Sequence, residues 1–90
     1  MATIIPKEQI VNYDIIPAFV DQSEKWQKEL VYAVRLGNEH KGKVTFIFET
    51  TQGPIGVNTT VWSVDDRFLQ IKGGQLIPLK SIIDIQFQTV

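Results

Sequence analysis

From Val44 onward, apolar and polar residues alternate in short runs separated by turn residues. Val44, Phe46 and Phe48 share one side of the first run, and Thr45, Ile47 and Glu49 the other. That is the two-residue period of a half-buried strand, and its aromatic and β-branched content suits a pleated surface. Gln52-Gly53-Pro54 breaks the run,. A longer run follows over Ile55 to Val64, with Gly56 near its start predicting a bend or bulge,. After the turn Asp65-Asp66-Arg67, Phe68 to Lys72 is a short strand with Leu69 and Ile71 on one face. Gly73-Gly74 predicts a tight hairpin, because primed turns need positive φ,. Gln75 to Pro78 is the fourth strand, and Pro78 marks its end because it cannot donate to a ladder,. Leu79-Lys80-Ser81 has the length of one helical turn. Ile82 to Gln88 is the fifth strand, with Ile83, Ile85 and Phe87 predicted inward and Asp84, Gln86 and Gln88 outward.

Upstream the period changes. Phe19, Trp26, Leu30, Ala33 and Val34 recur at helical steps, which predicts a helix over 17–37,. Pro17 suits its first turn with Asp14 a nearby cap, and Ser23 is the alternative cap for a later start. Gly37 is the expected C-terminal stop, with Arg35 favourably placed against the helix dipole,. Val31 and Tyr32 widen the apolar surface beyond what one small sheet needs. Residues 1–16 read either as an extended arm or as a short helix over Lys7 to Tyr13 with Ile10 and Val11 inward.

These elements predict a mostly β chain with an N-terminal helix. The expected form is a small five-stranded antiparallel barrel, similar to SH3-like and Sm-like barrels, with the helix capping an open end. Closure would remove the exposed sheet edges. An open antiparallel sheet with the helix across one face is the alternative. TTVWSV at Thr59–Val64 and KGGQLIP at Lys72–Pro78 resemble a family of short bacterial proteins of unassigned function. The resemblance covers roughly Trp26 to Phe87 and implies a small β-rich domain. The likeness to Sm-like RNA-binding proteins is one of strand pattern alone.

Ninety residues make one domain with a small core,. With no cysteine, disulfides and thiolate zinc sites are excluded,. A single histidine, His40, in a polar stretch predicts neither a transition-metal cluster nor a Ser-His-Asp arrangement around Ser23, Ser63 or Ser81,. Asp65-Asp66 lacks the spaced oxygen ligands of a calcium loop and is read as turn chemistry. Gly73-Gly74 has no helix behind it to cradle a phosphate. Asn58-Thr59-Thr60 matches a glycosylation sequon but falls in a strand. No enzyme and no cofactor are therefore expected. The N-terminal stretch has neither a basic start nor a long apolar segment, which predicts a cytoplasmic protein off the membrane.

What remains is binding. The first reading is an interaction or assembly module, joining copies of itself or another protein through strand edges, the arm or the helix back, with Ile4, Ile5, Val31, Tyr32, Thr59 and Trp62 as interface candidates. The threonines of the first two strands would form a flat, uncharged docking surface. The second reading is a nucleic-acid-binding barrel. Nine basic residues against ten acidic ones lower its prior,. It would use Lys41, Lys43, Arg67, Lys72 and Lys80 on one face, with Trp62 or Phe68 stacking on bases. The third is a small-ligand pocket near Trp26 and Trp62.

Overall fold

The computed structural model of the chain describes residues 3–40 and 43–87, without the side chains of Ala33, residues 36–40 and Phe87. The strands are β1 (Thr3–Ile4), β2 (Val44–Phe48), β3 (Ile55–Thr59), β4 (Val61–Val64), β5 (Phe68–Ile71), β6 (Leu76–Pro78) and β7 (Ile82–Phe87). The helix α1 spans Ser23–His40, and 3-10 segments cover Lys7–Asn12 and Leu79–Ser81. The strands form two sheets, ordered β1-β3-β2-β7 and β4-β5-β6.

This corrects the expected architecture. Among the described residues there are seven strands rather than five, neither sheet closes into a barrel, and a strand, β1, precedes the helix, while the 3-10 segment Lys7–Asn12 falls where the short helix over Lys7 to Tyr13 is read from the sequence. Two local causes are visible. The long run Ile55 to Val64 divides at Thr60, so that β3 serves the first sheet and β4 the second. The change of sheet comes there, where the Thr60 carbonyl accepts the Lys72 N–H at 2.9 Å, and not at Gly56. Closure would also need β6 to pair with β7. β6 is only three residues long, ends in a proline without an N–H, and is followed at once by the 3-10 turn,.

Gly56 serves the arm instead. β1 lies parallel to β3, pairing Ile4 with Gly56, and Ile5 N–H donates to the Gly56 carbonyl at 2.8 Å. A Cβ on Gly56 would stand 2.5 Å from Ile4 Cδ1. Because that atom is the far end of a half-exposed side chain, Gly56→Ala is expected to displace Ile4 and loosen the arm without unfolding the chain. The cost is at most about 1 kcal/mol, or a melting point lower by about 4–8 °C. Hydrogen exchange at the Ile5 amide is the direct check, and it should accelerate more than exchange in β2.

The arm packs on its own domain. Ile5 and Ile10 are buried, Ile15 bridges Thr50, and Ile16 N–H donates to the Glu49 carbonyl. Val11 was expected inward beside Ile10 but is 77 % exposed. With about three residues per turn, a 3-10 segment cannot face two adjacent side chains into one core.

The helix begins later than expected and continues through Gly37 to His40. Its start is set by Asp21, whose Oδ1 accepts the Ser23 N–H at 2.9 Å and the Ser23 hydroxyl at 2.6 Å. Residues 17–22 therefore lie outside the helix, and Phe19, expected on its apolar side, is fully exposed. Trp26, Leu30 and Val34 form the inward stripe, and α1 packs on β4 and reaches β7,. The Trp26 indole donates to the Ile82 carbonyl at 2.9 Å.

The core lies between the sheets and under the helix, around Phe46, Phe48, Val57, Leu69, Ile71 and Ile77. Ile83, expected inward, is 39 % exposed, whereas Ile82 and Ile85 are buried. Between β2 and β7 the register shifts from Ile47↔Asp84 to Phe48↔Ile82. Ile83 is the extra residue of a bulge, and one inserted residue exchanges the faces of everything before it.

Candidate interaction surface

The solvent side of the β4-β5-β6 sheet is built by alternation on β5 and β6 and by a bulge on β4. Leu69 and Ile71 of β5 and Ile77 of β6 point into the core, which turns Phe68, Gln70 and Leu76 outward,. On β4, Val61 pairs with Ile71 and Ser63 with Gln70, so the intervening Trp62 is a bulged residue,. Val61 is buried and both Trp62 and Ser63 face out. The Ser63 hydroxyl donates to Gln70 Oε1 at 3.2 Å, and Gln70 lies opposite Leu76 on β6. The row Ser63–Gln70–Leu76 therefore crosses the sheet, with Trp62 and Phe68 beside it. Trp62, Phe68 and Leu76 are 50 %, 38 % and 55 % exposed. None of these five residues carries a charge. Beyond β6 the surface continues into a shallow cleft of about 520 Å³, lined by Val11, Tyr13, Asp14, Phe68, Gln75 and Leu76 among others.

Of the predicted interface residues, Trp62 belongs to this face. Ile4, Val31 and Tyr32 are half exposed, the last two on the outer side of α1. Ile5 and Thr59 are buried within the chain's own core and offer no surface to a partner. Thr59 shares the inward parity of Ile55 and Val57. Nor do the threonines form one flat surface: Thr50 is buried, its hydroxyl donating to the Gly53 carbonyl at 2.7 Å, and Thr45 accepts the Asn58 amide at 2.7 Å. Leu76, Val11 and the apolar role of Phe68 were missed. Outward parity opposite Leu69 and Ile77 was the signal for Phe68 and Leu76. A second apolar patch, also missed, gathers Phe19, Val20 and Ile83 around a cleft of about 280 Å³.

The predicted cations among the described residues are divided between two ends of β5. Arg67 and Lys72 bracket β5, five residues apart, or about 16 Å along a strand,. Lys72 bonds Thr60, and Lys43 adjoins Val44, whose partner is Thr59, so these two lysines lie at one end. Arg67 and Lys80 lie at the other, lining a cleft of about 310 Å³ with Ser23 and two carboxylates, Asp21 and Asp66. Lys41 and the side chain of His40 lie outside the described residues. Trp26 is in the core and Trp62 on the solvent face, so the two do not frame the expected ligand pocket.

Local hydrogen bonding accounts for the perturbed acids. Asp65 Oδ1 accepts the Phe68 and Arg67 N–H groups at 2.7 Å each, and these bonds hold its carboxyl below the ordinary value of 3.8. The bonds from the Ser23 hydroxyl and N–H lower Asp21 in the same way. Both groups shape the chain locally, closing the β4–β5 turn and starting α1. Among the described residues no three His, Asp or Glu side chains gather as metal ligands, and no helix is long and apolar enough to cross a membrane.

Set against known proteins, the chain matches no family model, no curated protein and no solved structure. The likeness carried by TTVWSV and KGGQLIP rests on those residues alone.

Proposed function

We propose that the chain is an interaction module that assembles with further copies of itself. The observation that carries this reading is the uncharged apolar face of β4-β5-β6, centred on Trp62, Phe68 and Leu76. The largest exposed apolar patch of a small domain is often functional, and Trp is enriched at interface centres. The arm is given less weight than at the sequence level, because it is bonded to its own sheet. Nucleic-acid binding receives less support for a separate reason: its cations are divided between two ends of the sheet, one of them shared with carboxylates.

Light scattering over a wide concentration range and at two salt levels tests the proposal. The expected result is a mass above that of one chain that changes little with salt, since apolar contacts are not screened. Leu76→Asp would bury an unpaired charge in the contact and is expected to weaken association at least about 100-fold, with the monomer fold intact. A single-chain mass at every concentration overturns the proposal.

A further inference from the structure

We infer that two copies pack sheet face against sheet face about a twofold axis passing near Gln70, rather than joining strand to strand; this rests on the self-association proposed above. Three of the four edge strands, β7, β6 and β1, argue against strand addition. On β7 the Ile82 carbonyl is taken by the Trp26 indole and the Ile85 N–H donates to Asp84 Oδ1 at 2.9 Å. On β6 the terminal Pro78 has no N–H, and its carbonyl accepts the Ser81 hydroxyl at 2.6 Å. β1 has only two residues. Caps, carboxylates and prolines of this kind blunt edges against another chain.

The face suits a second copy. Gln70 sits on the middle strand, between Ser63 and Leu76, and its amide carries both donor and acceptor, so it can meet its own symmetry mate,. Trp62, Ser63, Phe68, Gln70 and Leu76 are all uncharged, and the charged group lining the adjoining cleft is Asp14 of the arm, so an apolar partner such as a second copy suits the sheet face better than a highly charged one. The area is sufficient. With Val11, which is 77 % exposed across the cleft, the apolar patch is on the order of 400–500 Å²,. That is about the apolar share of the roughly 800 Å² that each partner contributes to a standard interface.

A charge exchange at Gln70 tests the geometry. Gln70→Glu and Gln70→Lys each place two like charges across the axis, and each alone should weaken association at least about tenfold at low salt. An equimolar mixture places Glu against Lys and should recover the wild-type mass as a mixed species by native mass spectrometry. If wild type associates but neither variant alone is weakened, or if both are weakened and the mixture is not rescued, the twofold face-to-face geometry is overturned while self-association stands. A monomeric wild type removes both.

Discussion

Phe46→Ala is expected to lower stability by about 3–5 kcal/mol. Phe46 is fully buried at the centre of β2, opposite Val57 on β3 and Ile85 on β7. Truncation removes the aromatic contacts and leaves a cavity that three hydrogen-bonded strands cannot collapse to fill. A chain of this length has only about 5–13 kcal/mol in total. The variant should therefore melt about 15–30 °C lower. Phe46→Leu, which keeps most of the volume, should cost far less. Urea unfolding followed by circular dichroism measures both, and a loss below about 1 kcal/mol for the alanine variant would refute the placement of the core.

The second large effect is expected at Trp26. This side chain ties α1 to β7, filling the core and donating to the Ile82 carbonyl, with Lys25 Nζ 4.8 Å from its ring centroid. Trp26→Ala removes both packing and hydrogen bond and should cost about 3–5 kcal/mol. Trp26→Phe keeps most of the packing and leaves a buried carbonyl without its donor, for about 1–3 kcal/mol. Trp62→Ala is the control. Being half exposed, Trp62 should change monomer stability by less than about 0.5 kcal/mol and affect association instead,. If Trp26 and Trp62 exchanged these behaviours, the orientations of helix and outer sheet would both be wrong.

The two tryptophans show where sequence reasoning reaches its end. Trp26 stands at helical spacing with Leu30 and Val34, so its inward direction was legible from periodicity. Trp62 stands beside Val61 in a β-rich run, and its direction depends on a bulge formed against β5. Ile83 was misplaced for the same reason on β7. Bulges arise from the match between two strands, and a one-strand pattern does not contain the partner. The uncharged face was half legible, since Phe68, Gln70 and Leu76 follow from the parity of Leu69, Ile71 and Ile77, but its continuation to Val11 required the arm to be in place.

By itself the sequence determined the local features. The turns at Gly53 and at Gly73-Gly74 have positive φ, near 100° at Gly53 and Gly73 and 92° at Gly74. β5, β6 and β7 begin and end near their predicted bounds, Pro78 closes β6, and Leu79–Ser81 makes a single turn. These depend on steric and hydrogen-bonding preferences that act within a few residues. The tertiary structure alone decided that the run from Ile55 to Val64 divides between two sheets at Thr60 and that β6 and β7 stay apart. It also sent the arm to the edge of β3 and the cations to opposite ends of β5. Those outcomes depend on which distant segments share a ladder and a core. That choice is made by total burial and backbone satisfaction across the whole chain.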